Sequence, residues 1–241
     1  MSVIAVAQTK GGAGKTTIAI CLAGYYASRG LSVHVIDADG PQHHSAKWLD
    51  RARSMETPLA PVSVEIVSNP DAVPQAIVDA AGQAQVVIVD IIGALAESLT
   101  FSVANADLVV LPFRDSGLDI DGAATTLGVV ANVYNRIKRE IAFEPVVTQA
   151  KPRTQLHAAS LKMAAEVGLL PDGYKPSVME ERVAYREGFV LGSTPTFLEP
   201  KGAAAQEIEK LGDLLLERFQ QIGRPIPKRT AAKPAAKQVV V

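Results

Sequence analysis

Residues 1–17 read Met-Ser-Val-Ile-Ala-Val-Ala-Gln-Thr-Lys-Gly-Gly-Ala-Gly-Lys-Thr-Thr, and the fold is decided there. An apolar run at 3–7 gives way to Gly11, Gly12, Ala13 and Gly14, and then to Lys15, Thr16 and Thr17 at the head of a helical pattern that runs to residue 28. This is a strand passing through a glycine-rich turn into a helix. Such a turn lets backbone N–H groups approach an anion without side-chain collisions. The helix that starts near Lys15 directs its positive end at the same anion. At this spacing the lysine reaches the β and γ phosphates of a nucleotide, and the Thr16 hydroxyl is placed to ligate Mg²⁺. The general pattern has glycine five positions before Gly14. This chain has Thr9 there, and it adds a second lysine, Lys10, at the start of the loop.

Outward from the loop, short β-branched runs alternate with longer helical patterns. Strands are expected at 3–7, 32–37, 62–67, 85–90, 107–111 and 143–148. Helices are expected at 15–28, 45–53, 71–81, 99–105, 119–139, 154–166, 180–188 and 201–219. Most of the strand runs are continuously apolar, as strands covered on both faces are. Strand–helix alternation implies right-handed crossovers. The expected fold class is α/β: a single-domain P-loop NTPase fold with a mainly parallel central sheet and helices on both faces. No repeat or linker interrupts residues 1–220.

Composition limits the function classes. Lys and Arg number 24 against 25 Asp and Glu, so net charge argues neither for nor against nucleic acid. The lone Cys21 suits a reducing compartment. The first residues lack a basic leader, and no apolar run approaches the roughly 18–20 residues of a membrane span. A soluble, cytoplasmic protein is expected. From residue 221 the character changes: Arg224, Lys228, Arg229, Lys233 and Lys237 stand among alanine and proline with no acidic side chain from 222 onward. Residues 221–241 read as a flexible basic tail, either attaching weakly to DNA or to an acidic partner, or merely solubilising.

Two acidic strand ends follow the loop. The second strand ends Val-Ile-Asp37-Ala-Asp39, with Gln42 shortly after, and 86–90 is an apolar run ending in Asp90. A carboxylate at the end of a strand beside a phosphate loop can hold a Mg²⁺-bound water or orient an attacking one.

The form Lys-Gly-Gly-x-Gly-Lys-Thr-Thr resembles the deviant Walker A motif of the ParA/MinD family of ATPases. The likeness covers about residues 1–220 and is nearest the short, ParF-like partition proteins. ParA-like virulence proteins that process T-DNA are similar around Leu118-Asp-Ile-Asp and Met179-Glu-Glu-Arg. The resemblance implies an ATP sandwich homodimer in which Lys10 crosses to the partner's nucleotide, so that Lys10 and Lys15 act together with a catalytic Asp39. It assigns the nucleotide to residues 10–17, with Lys151 and Pro176 on the adenine side, and Mg²⁺ to Thr16, Asp37 and Asp90. Relatives have Asp-x-Asp-Pro-Gln at the second strand end, so Gly40 is an insertion here. Gly93 falls where relatives carry a switch loop. Asp119, after the Leu111-Pro-Phe-Arg stretch, reads as a helix N-cap or as part of the dimer face.

The resemblance also implies partners. Short relatives bind DNA without sequence preference through basic late helices, for which Arg182, Arg186, Lys201, Arg218 and Arg224 are the candidates. Each of these also suits an ordinary solvated helix face. A ParB-like adaptor and a nucleoid location complete the expectation. A MinD-like, membrane-associated spatial regulator is the alternative, but Ile208, Leu211, Leu215 and Phe219 read as a stripe packed on the domain, and no membrane contact is expected. A nitrogenase-like redox role is excluded, because its cluster takes two cysteines from each subunit.

Overall fold

The computed structural model describes residues 1–38, 40–57, 59, 61–91 and 96–226. Its strands are β1 (Ser2–Val6), β2 (Val33–Ala38), β3 (Val62–Ile66), β4 (Val86–Ile91), β5 (Leu108–Phe113), β6 (Ala142–Ala150) and β7 (Ser177–Glu180). They form one sheet in the order β3-β2-β4-β1-β5-β6-β7, and every neighbouring pair is parallel. The helices are α1 (Lys15–Ser28), α2 (His44–Ser54), α3 (Val73–Ala80), α4 (Ala96–Asn105), α5 (Gly117–Ile137), α6 (Gln155–Glu166), α7 (Val183–Val190), α8 (Pro195–Leu198) and α9 (Ala203–Gln221).

Side chains alternate across each strand, so a strand buried on both faces feeds two cores. In β1, Ile4 and Val6 join the cluster under α1, α2 and α9, while Val3 and Ala5 join the one under α3, α4 and α5. β4 divides in the same way, Val86 and Ile88 to one side and Val87 and Val89 to the other. A third cluster between β5, β6, α5 and α6 closes the far edge. β1 lies between β4 and β5, where the strand order reverses. Ligands of open α/β sheets bind outside the carboxyl ends of the strands at such a point, and the glycine-rich turn leaves β1 there.

Close approach between helices depends on small residues. Gly212 of α9 lies against the Tyr25 ring of α1, where an added Cβ would come within 2.3 Å of the ring. The stripe Ile208, Leu211, Leu215 and Phe219 is fully buried, so α9 belongs to the core. Among the described residues, no helix is long and apolar enough to cross a membrane.

Three differences from expectation stand out. A seventh strand, β7, occupies Ser177–Glu180, where 180 was expected to open a helix. That helix begins instead at Val183, with Arg182 as its N-cap. The four-residue helix α8 was not foreseen. The chain also stays packed beyond 220: Ser2 Oγ donates to the Arg224 carbonyl at 3.0 Å, and Ile222 and Ile226 rest on the core. The remainder of the basic tail, 227–241, lies outside the described residues.

Candidate nucleotide site

Gly12 (φ 78°) and Gly14 (φ 91°) take the left-handed conformation that turns β1 into α1, which a Cβ would strain. Gly14 is the N-cap of α1 and offers no side-chain cap, leaving the first-turn N–H groups for a ligand. Thr148, near the end of β6, braces the loop by donating to the Ala13 carbonyl at 2.8 Å. Lys15 is buried to 7% exposure, and its Nζ donates to the Lys10 carbonyl at 3.2 Å.

Thr9 has a reason to replace glycine. Its amide donates to Thr126 Oγ1 at 3.1 Å and its hydroxyl to the Gly122 carbonyl at 3.1 Å, fastening the loop's entrance to α5. The absent side chain of Gly122 permits this, since a Cβ there would meet Gln8 Oε1 at 3.1 Å and Lys10 Cβ at 3.3 Å.

Lys10 does not enter its own loop. Its Nζ lies 2.8 Å from Asp119 Oδ2, and the same carboxylate accepts from Arg114 Nε at 3.0 Å. Asp119 is fully buried, while the Lys10 side chain is 32% exposed. Burial pushes the Asp119 carboxyl up, but hydrogen bonds from Arg114 and Lys10 outweigh it and hold the group below its ordinary value. The N-cap reading of Asp119 is thereby corrected. Ser116 is the N-cap of α5, and Asp119 sits in the first turn because its carboxylate is drawn inward to two cations.

Asp37 and Asp90 face each other as register partners on β2 and β4, both without exposed surface. Thr16 Oγ1 donates to Asp90 Oδ1 at 3.3 Å, Ser45 Oγ to Asp90 Oδ2 at 2.9 Å, and the Ala46 N–H to Asp37 Oδ2 at 3.0 Å. The expected metal residues Thr16, Asp37 and Asp90 thus come together. Among the described residues no three His, Cys, Asp or Glu side chains form a cage. The hydroxyl and two carboxylates that do come together are oxygen donors of the kind Mg²⁺ takes, usually one or two carboxylates with waters and phosphates. The fit is supported by a buried Nδ1 of His43 that has no hydrogen-bond partner and lies 3.9 Å from Asp37 Oδ1. Asp39 and Gly93 lie outside the described residues.

From the phosphate loop a cavity of about 410 Å³ opens, walled by Gly14, Thr17, Gln149, Glu181, Arg182 and Tyr185. Lys151 and Pro176 do not line it. Lys151 is turned to Glu181, Nζ to Oε2 3.1 Å, and Pro176 lies on an adjoining groove. For Pro176 the reason is β7: the strand reaches the cavity at Met179, three residues or about 10 Å beyond Pro176 at about 3.3 Å each.

The five basic candidates do not form one patch. Arg182 pairs with Glu207 at 2.6 Å and Glu180 at 3.2 Å, and it lines the cavity with Arg186. Lys201 precedes α9, whose first turns bring Glu207 to Arg182. Arg218 pairs with Glu144 at 3.6 Å, near the start of β6, and Arg224 with Asp107 at 3.7 Å, just before β5. α9 separates the two groups by about 25 Å at 1.5 Å per residue.

Sequence reasoning left out Gln8, Thr126, Arg114, Ser45, His43 and Thr148. Arg114 sat inside a quoted stretch without a role. The others are single polar residues in apolar or helical runs or, for His43, after a short turn, and they carry no signal until folding brings them to the loop.

The VirC1 protein family matches residues 1–192. Protein ParA of Rhizobium radiobacter is 30% identical over 225 residues, covering 92% of this chain and 98% of that protein. Among solved structures, a Cyanothece McdA(D38A)–ATP complex superposes with a TM-score of 0.72 at 16% identity, covering 89% of this chain and 96% of that one. The septum site-determining protein MinD of Pyrococcus horikoshii, complexed with Mg-ADP, gives 0.71 at 17% identity and covers 92% and 98%. The deviant phosphate loop, the parallel sheet and these matches agree: the chain belongs to the VirC1 family and is a ParA-type partition ATPase of the deviant Walker A class.

Proposed function

We propose that the chain is an ATP-driven positioning switch: it forms a sandwich homodimer on ATP, binds DNA without sequence preference, and releases when an adaptor of the ParB type stimulates hydrolysis. The observation that carries this reading is the position of Lys10. Its side chain is about one-third exposed beside the loop and held by Asp119, while Lys15 fills the loop's interior. A cation parked outside its own phosphate site is available for a partner's.

In this reading the N–H groups of residues 11–17 and Lys15 bind the phosphates. Thr16 lies on the metal's side, with Asp37 and Asp90 behind it to accept from its waters. Mg²⁺, when bound, would supply neutralising charge to the phosphates. Asp39 orients the attacking water for in-line displacement, and Lys10 of each protomer adds positive charge at the other's γ phosphate. The base enters the cavity walled by Gln149, Glu181 and Tyr185. Similarity to ParA of R. radiobacter supports the partition role. For DNA, Arg186 and Lys201 at the nucleotide end are better placed than Arg218 and Arg224, which are engaged at the far end. A cytoplasmic, nucleoid-associated location follows from this activity.

The test is binding to nonspecific duplex DNA with ATP, with ADP and without nucleotide, at two salt concentrations. Salt-sensitive binding confined to ATP is expected. Absence of binding in every state, alongside a good ATP dimer, overturns the DNA part of the reading.

A further inference from the structure

His43 has no role in the reading above. It follows the short turn Gly40–Gln42 and precedes α2 with φ 44° and ψ 53°, yet makes no side-chain cap hydrogen bond. Histidine is among the few residues other than glycine that adopt this left-handed conformation readily, and here it turns the side chain toward Asp37. Its Nδ1 is buried without a hydrogen-bond partner and lies 3.9 Å from Asp37 Oδ1. The other Asp37 oxygen accepts from Ala46 N–H. A gap of 3.9 Å is too long for a direct hydrogen bond, and with Nδ1 closed to solvent a water shared by the two groups would have to enter with the metal.

We propose that His43 is a positioning residue for the nucleotide's metal: with Asp37 it holds a water of the outer coordination sphere. The inference rests on the nucleotide reading. Direct ligation is disfavoured because Mg²⁺ takes oxygen ligands and keeps its waters, whereas imidazole suits softer ions. An outer-sphere group acts by orienting what the ion holds. Asp90 is the register partner of Asp37, so a water between His43 and Asp37 lies beside the pair of carboxylates that faces Thr16. No family motif marks the position, since His43 falls just past the Gly40 insertion.

The full chain, labelled with ¹⁵N-histidine and loaded with Mn²⁺ and ADP, tests this by pulsed electron paramagnetic resonance. His43→Asn and His43→Gly are the variants, because both residues accept left-handed backbone and neither should cost the fold. Asparagine also keeps a polar atom near the place of Nδ1. A weak histidine ¹⁵N coupling is expected in the wild type and lost in both variants. Mn²⁺ affinity of the ADP complex should fall about ten-fold in His43→Gly and recover in His43→Asn, with metal-free ADP affinity unchanged throughout. A strong coupling, the mark of direct ligation, overturns the proposal. So does no coupling with Mn²⁺ and ADP bound, or a His43→Gly variant that holds Mn²⁺ like the wild type. Failure to bind ADP at all overturns the nucleotide reading and this proposal with it.

Discussion

Lys10 Nζ stands 2.8 Å from Asp119 Oδ2, across 109 residues of sequence, on a carboxylate that Arg114 holds from the other side at 3.0 Å. One buried anion therefore organises two cations at the mouth of the phosphate loop. In the proposed dimer this is the resting position that Lys10 would leave to serve the other protomer.

Asp119→Asn removes that anchor. Lys10 and Arg114 are each about one-third exposed and can regain water, so the loss of stability should fall below that of a fully buried pair, at about 1–3 kcal/mol. The folded carboxyl is held below its ordinary value of 3.8. Its contribution is therefore present above that value and disappears as pH falls through the lower folded one. Urea unfolding should show the wild type ahead of Asp119→Asn at pH 7, with the gap closing below about pH 4. A gap independent of pH would remove Asp119 from this role. With Lys10 released, the ATP-dependent dimer should also form at lower protein concentration.

Ser45→Ala takes away the hydroxyl that donates to Asp90 Oδ2 at 2.9 Å. Losing a donor to a buried charged group costs about 1–3 kcal/mol, here felt by the carboxylate that faces Thr16. Calorimetric titration should find ADP affinity lowered several-fold with Mg²⁺ and unchanged in chelator. Equal losses under both conditions would place Ser45 in the fold and not in the metal's surroundings.

Cys21 lies in α1 with 2% exposure and lines the cavity beside the loop. Burial pushes its thiol up to about 12 from an ordinary 9.0, which leaves about a thousand-fold less thiolate at pH 8. Labelling by a disulfide reagent should be correspondingly slow in the native protein and fast in urea. Rapid native labelling would mean that the cavity opens much wider than described.

Gly212→Ala would place a Cβ 2.3 Å from the Tyr25 ring. Overpacking of this kind costs about 1–3 kcal/mol, and thermal unfolding should fall by several degrees. An unchanged midpoint would show that α9 can slide on α1.

Legibility followed signal length. The loop and α1 carry signals on every residue, glycines at the turn and a long apolar helix, and the expected 15–28 coincides with Lys15–Ser28. The paired acids Asp37 and Asp90 could be placed because each ends an apolar run. β7 could not, since four residues are too few to show a period and the following helix lends them its pattern. That miss displaced Pro176 from the cavity and put Arg182 on a helix it only caps. Contacts such as Lys10 with Asp119, or Thr9 with Thr126, join residues more than a hundred positions apart. Only the order of the strands brings them together, and no local pattern records it.

The central claim, that Lys10 leaves Asp119 to meet a partner's nucleotide, is tested most directly by sedimentation velocity of the wild type and Lys10→Ala, each with ATP and with ADP, with bound nucleotide measured in the same samples. The account predicts a wild-type dimer with ATP, a monomer with ADP, and a Lys10→Ala protein that binds ATP and stays monomeric. A Lys10→Ala dimer formed on ATP as readily as the wild type would contradict it.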